Sequence, residues 1–308
     1  MRAARRGMLL AAAGFAALLA GGAAWTFRDD GSVKGDCMLS PADVDLSPLD
    51  RVSESTWRGV ADLRVFFGHQ SVGSNIIAGL EDIQQRQPAI RLNIIDTRDP
   101  ARMTPGVFAQ TAIGRNGRPQ EKTDDFAKVL DGGMGDRADV ALFKLCYVDI
   151  NEATDFEPLF QRYRETMTRL QREHPNVTIV WCTVPLTTVE RGPKSRVKAL
   201  LGRALWGYQE NARREQYNDM LRQAAGAAQP RVPLLDLARI ESTLPDGRSA
   251  SFMMNGRPIA CLAECYTHDG GHLNEVGRMI AAREMLLALA RIVEERKGAE
   301  TREGSRTP

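Results

Sequence analysis

An acid and an imidazole stand three residues apart in Tyr266-Thr267-His268-Asp269-Gly270-Gly271-His272-Leu273-Asn274. A carboxylate that holds one ring nitrogen leaves the other as a base, which is two parts of a hydrolytic triad. The third part is a hydroxyl, a poor nucleophile until a base takes its proton. Ser71, in Phe66-Phe67-Gly68-His69-Gln70-Ser71-Val72-Gly73, is the serine best placed to supply it. Ser71 would attack, His272 would take the proton and Asp269 would orient His272. His268, beside Asp269, competes as the base.

The segments around these residues must bring them together. Leu63 to Phe67 is a short apolar run ending at Gly68 and reads as a buried strand. Ile76, Ile77, Leu80 and Ile83 have helical spacing. Ser71 therefore lies where a strand gives way to a helix, the usual ligand crevice of an open α/β sheet. Helix-start amides there favour developing negative charge. A serine at such a junction is also a common helix N-cap; the matching Asp-x-x-His favours the nucleophile.

Four further strands are expected at Ile90 to Ile95, Ala138 to Val148, Val177 to Val184 and Val232 to Leu237. Helices are expected at Phe126 to Leu130, Phe156 to Glu173, Tyr217 to Ala225 and Val276 to Val293. Asp99 to Asp124, rich in Gly, Pro and Thr, reads as a long connection. Strands alternating with helices predict an α/β fold: a three-layer α/β/α sandwich around a mostly parallel five-stranded sheet.

At this point the chain resembles the SGNH (GDSL-like) hydrolase superfamily, from about Leu63 to Ala290. The matches include the serine after strand one, a glycine after strand two, Thr183-Val184-Pro185, Gln216-Tyr217-Asn218, Asp236 and Asp269-Gly270-Gly271-His272-Leu273-Asn274. The first block departs from the family, with His69-Gln70-Ser71 in place of Gly-Asp-Ser. In the third block Cys146-Tyr147-Val148-Asp149 replaces Gly-x-Asn-Asp, so the family's oxyanion-donating asparagine is missing. The resemblance implies an SGNH/flavodoxin-like sandwich and a serine esterase. Its oxyanion hole would use the amides of Ser71 and Gly114, or the side chain of Asn116. Losing one donor costs roughly 10²–10³ in rate. Lys144 is a candidate replacement or a strand-end residue pointing to solvent. His69 would contact substrate or be a packed imidazole, and Asp149 would be a site residue or a loop cap.

The substrate implied by the resemblance is an O-acyl ester, with acetyl on a saccharide or cell-envelope polymer as the expectation. An O-acyltransferase using the same triad is the alternative, and a catalytically silent carbohydrate-binding domain is a third reading. No cofactor and no metal is expected; no paired Cys-x-x-Cys or His cluster has ligand spacing.

Composition bounds the partners. Of 41 basic residues, Arg2, Arg5 and Arg6 precede an uncharged run from Gly7 to Phe27; without them 38 face 39 acidic residues. That balance gives no argument for a nucleic-acid binder, which would favour a strongly basic domain with a basic stripe. The basic start and Ala/Leu-rich run form a secretory signal or an uncleaved anchor, and Arg5-Arg6 also admits a twin-arginine signal. Export to the periplasm or outside is expected, with membrane contact only through residues 7–27 if they stay.

The expected organisation is a signal or anchor at 1–28, a linker at 29–58, the hydrolase domain at 59–296 and a disordered tail at 297–308. Cys261 and Cys265 read equally as a disulfide or as two free thiols. Cys146 and Cys182 read as core residues. Lys194 to Arg214 is basic and carries Leu200, Leu201, Leu205 and Trp206. It is a lid or a surface for an anionic polymer or membrane, or a helix packed on the domain by its apolar face; the packed helix is the expected form.

Overall fold

A computed structural model describes residues 39–304. The expected signal or anchor, most of the linker's first half and the last four residues lie outside the described residues. In chain order the elements are α1 (Ser47–Asp50), α2 (Glu54–Asp62), β1 (Val65–His69), α3 (Ser71–Arg86), β2 (Asn93–Asp96), β3 (Val107–Ala112), α4 (Pro119–Val129), β4 (Val140–Phe143), α5 (Phe156–Glu173), β5 (Thr178–Cys182), α6 (Pro193–Leu200), α7 (Tyr208–Ala227), β6 (Leu234–Leu235), α8 (Leu237–Ser242), β7 (Ser251–Met254), β8 (Arg257–Ala260) and α9 (Glu275–Gly304).

The main sheet has six strands, not five, in the order β2-β3-β1-β4-β5-β6. Every pairing in it is parallel. The additional strand is β3, inside the stretch expected to be a long connection. Its sequence, Val-Phe-Ala-Gln-Thr-Ala, is preceded by Gly106 and followed by Ile113 and Gly114, so it is short and its neighbours look like loop. The antiparallel pair β7–β8 is a second departure from the expectation.

Side chains alternate across the sheet, as extended backbone requires. Val65 and Phe67 of β1 join one core layer with α2, α3 and α9. Phe66 joins the other, with α4, α5 and α7. In that second layer Phe66, Phe126, Phe143, Tyr163 and Trp181 run ring to ring across the strands. Helices cover both faces, which gives the expected three layers.

The ends of the domain differ from the expected boundaries. Leu49, Trp57 and Val60 are buried against the core, so residues 47–58 are folded domain and not linker. α9 runs to Gly304, so residues 297–304 are helical where a disordered tail was expected. Cys265 is disulfide-bonded, but Cys261 is a buried free thiol; the Cys261–Cys265 bridge does not form. Residues 193–206 are not packed by an apolar face either, since Leu200, Leu201 and Trp206 are exposed.

Candidate active site

Leaving out the edge strand β2, the order β3-β1-β4-β5-β6 is the flavodoxin-like 2-1-3-4-5 order. From β1 the chain first moves to one side of the sheet and then crosses back to β4 on the other. The crevice at that reversal opens beyond the carboxyl ends of β1 and β4. Ser71 follows β1 directly, and Cys146 and Tyr147 follow β4.

Ser71 is the first residue of α3, and the N-cap is Gln70, whose backbone is extended. The N-cap role considered for Ser71 is therefore taken by its neighbour. The Gln70 amide donates to the carbonyls of Ile113 at 2.9 Å and Gly114 at 3.0 Å. That fixes the Ser71 junction to the end of β3. At the first helical position the Ser71 N–H has no intrahelical acceptor.

The acid and the base come from one loop, closed by a bridge between Thr267 and Leu273. Asp269 Oδ1 accepts from the N–H groups of Gly271 at 2.9 Å and His272 at 2.8 Å. Oδ2 is left for the His272 ring, 2.7 Å from Nδ1. Slight burial works to raise the Asp269 pKa, but the hydrogen bonds from the His272 ring and from the two amides hold it well below the ordinary carboxylate range. An ionised Asp269 accepting from Nδ1–H leaves the Nε2 lone pair as the base. His268 is instead paired with Glu275, Nε2 to Oε2 at 3.3 Å.

The loop is held from three sides. The Leu273 N–H donates to Asn75 Oδ1 on α3 at 3.1 Å. Asn75 is four residues after Ser71, on the same helical face and about 6 Å along the axis. The Thr188 N–H donates to the Gly270 carbonyl at 2.9 Å. Gly270 has φ +87°, and a Cβ there would lie 2.8 Å from both the Trp206 ring and Thr188 Oγ1. Tyr147 sets its ring edgewise to the His272 ring, centroids 5.7 Å apart. Among the described residues no hydrogen bond joins Ser71 Oγ to His272; catalytic contacts often tighten only with substrate present.

Asp149 and His69 take the second of their two expected roles, while Gly114 and Lys144 depart from theirs. Asp149 is buried and spends both oxygens inside the fold: Oδ2 on Lys122 Nζ at 2.5 Å and on Cys146 N–H, and Oδ1 on Gly117 N–H. It braces the loops after β3 and β4, and its side chain has no exposed surface to offer substrate. His69 is also buried, with Nε2 2.7 Å from Gln110 Oε1. Burial lowers its pKa, against the Gln110 hydrogen bond, so it is a packed neutral imidazole and not a substrate contact. The Gly114 N–H donates to Asp125 Oδ2 at 2.9 Å, which removes it as an oxyanion donor. Lys144 points inward, fully buried, with Nζ 3.1 Å from Cys146 Sγ. Asn116 accepts from Lys122 Nζ through Oδ1 at 2.9 Å, so its amide nitrogen remains a donor.

Sequence reading missed Gln70, Asn75 and Tyr147. Asn75 had a usable signal, a polar residue one turn after Ser71 on the same face. An α/β/α sandwich with parallel order 2-1-3-4-5 now carries an Asp-x-x-His loop tied to the helix that starts at the serine. The fold is a flavodoxin-like α/β/α sandwich.

No protein-family model matches the chain, and no curated protein matches it. Among solved structures, the chain is similar to a candidate platelet activating factor from Streptococcus pneumonia. That pair shares 15% identity over 79% of this chain and 95% of the other, with a TM-score of 0.45. A candidate lipolytic protein of the G-D-S-L family from Desulfitobacterium hafniense DCB-2 shares 8% identity, covering 74% and 99%, TM-score 0.40. The periplasmic domain of a Salmonella ser. Paratyphi A lipopolysaccharide acetyltransferase shares 11%, covering 80% and 98%, TM-score 0.40. At such identities the likeness is of fold alone.

Proposed function

We propose that this protein is an exported SGNH-type serine esterase that cleaves an O-acyl ester, with an acetyl group on a carbohydrate or cell-envelope polymer as its substrate. The observation that carries the reading is the 2.7 Å contact between His272 Nδ1 and Asp269, on a loop bonded to the helix that Ser71 begins. Ser71 Oγ attacks the acyl carbon while its proton passes to His272 Nε2. The oxyanion that forms is met by the Ser71 N–H and the Asn116 side-chain amide, aided by the start of α3. When the tetrahedral species collapses, the alcohol leaves with the proton from His272. Water, deprotonated by the same imidazole, then releases the acid and restores Ser71. The disulfide-bonded Cys265 supports an oxidising compartment.

A second reading, a catalytically silent carbohydrate-binding domain, draws on one observation: the Gly114 N–H is already committed to Asp125. Hydrolysis of p-nitrophenyl acetate by the full chain, with Ser71→Ala and His272→Ala, separates the two. The esterase reading expects losses of about 10³-fold or more in both variants, and fluorophosphonate labelling that disappears in Ser71→Ala. Equal rates in all three proteins, or no labelling of folded protein, would leave the silent domain.

A further inference from the structure

Among the described residues, most of the exposed large apolar side chains lie in one segment. Among the described residues five are conspicuous: Val148 is 39% exposed, Val197 56%, Leu200 86%, Leu201 65% and Trp206 46%. Four lie within ten residues of one another, in and just after α6. The fifth, Val148, follows Tyr147, whose ring touches both His272 and the position of a Gly271 Cβ. The segment therefore meets the Asp269–His272 loop at Trp206, which lies against Gly270.

The segment is a closed excursion. The Glu190 N–H donates to the Trp206 carbonyl at 3.0 Å, pinning its two ends together. Between them Lys198 pairs with Glu190, while Lys194 and Arg203 have no carboxylate partner among the described residues. The exposed surface thus combines an aromatic, three aliphatic residues and unpaired cations. A soluble polyanion would satisfy the cations and leave the leucines in water. A second copy would set like charges against one another. An interface with acyl chains below and negative headgroups at its rim satisfies both sets.

We propose that residues 193–206 dock on an anionic lipid membrane, seating Val197, Leu200, Leu201 and Trp206 in the interface with Lys194 and Arg203 at the headgroups. Docking would hold the Asp269–His272 loop at the lipid–water boundary, facing esters presented there. The surface does not depend on acyl chemistry, so Ser71→Ala docks like the wild type whether or not it abolishes hydrolysis.

The test is fluorescence quenching of the full chain by vesicles whose acyl chains carry bromine. One set is phosphatidylcholine alone, and the other contains phosphatidylglycerol. Trp57 and Trp181 are buried, so the difference between wild type and Trp206→Phe reports Trp206 and sets aside Trp25 in the apolar N-terminal run. Phosphatidylglycerol vesicles should quench the Trp206 component at least twofold more than phosphatidylcholine, and high salt should weaken the effect. The Leu200→Ser/Leu201→Ser double variant, changed only at exposed positions, should lose it. Equal quenching of wild type and Trp206→Phe would overturn the proposal, as would equal quenching by neutral vesicles. Heparin binding without lipid quenching would reassign the patch to a polyanion. Sedimentation showing dimers that vanish in the double variant would reassign it to self-association.

Discussion

Asn75 is the residue that links the two halves of the proposed triad. Its Oδ1 accepts the Leu273 N–H, one residue past the base and one helical turn past the nucleophile. Deleting one such bond costs roughly 1 kcal/mol of stability, whereas a base displaced by an ångström can cost about 10²-fold in rate. Asn75→Ala should therefore fold and keep its KM, but lose kcat for p-nitrophenyl acetate by roughly 10- to 100-fold. An unchanged kcat would show that the loop holds its place without this bond. The Asp269–His272 pair could be read from sequence because both partners sit in one loop, three residues apart. Gly114, Asp149 and His69 could not be placed that way. Their partners Asp125, Lys122 and Gln110 lie 11, 27 and 41 residues away, and no local spacing rule pairs them. A polar residue beside a motif looks the same in sequence whether its hydrogen bonds go to substrate or into the fold.

Among the elements, α3 and α9 matter most, because each begins beside one part of the proposed site. They approach so closely at Gly79 that a Cβ there would lie 2.2 Å from the Arg278 carbonyl oxygen. The Asp82–Arg278 ion pair on the same seam, at 2.6 Å, is partly exposed and adds little by comparison. Backbone cannot give way as a flexible side chain can, so Gly79→Ala should force the helices apart. The expected cost is about 1–3 kcal/mol, read as a lowered midpoint in urea, with a fall in esterase rate as Ser71 and His272 separate. Gly226 in α7 is the matched control: nothing lies within 4 Å of its Cβ position. Gly226→Ala should instead stabilise by up to about 1 kcal/mol through helix propensity. If both substitutions behaved alike, the close approach of α3 and α9 would not be what positions the site. The buried strands β1 and β4 and the amphipathic α5 were legible from apolar pattern alone. β3 was not, because seven residues between glycines give too short a period to stand out from loop, and its identity comes from pairing with β1 and β2.

At the scale of the whole molecule, the sheet brings together residues about two hundred positions apart, and a layer of buried charge lies beneath them. Glu241 of α8 is its least satisfied member. Oε2 accepts the Leu186 N–H at 2.9 Å, while Oε1 is buried with no partner. Burial pushes its pKa up to about 8, although the Leu186 hydrogen bond and the charges of Lys144 and Arg214 work in the other direction. The folded protein therefore keeps a proton that the unfolded chain releases above the ordinary glutamate value, about 4.3. Between that value and about 8 the native state binds more protons, so stability falls as pH rises. The limiting slope for one group is about 1.4 kcal/mol per pH unit, and the effect ends once the folded carboxyl also ionises. Glu241→Gln keeps the acceptor for Leu186 and cannot ionise. Its unfolding free energy, measured in urea at pH 5, 6, 7, 8 and 9, should gain on the wild type steadily up to about pH 8 and then run parallel. Parallel curves across the whole range would mean that Glu241 ionises normally in the folded state, through water or a movement of α8 toward Lys144.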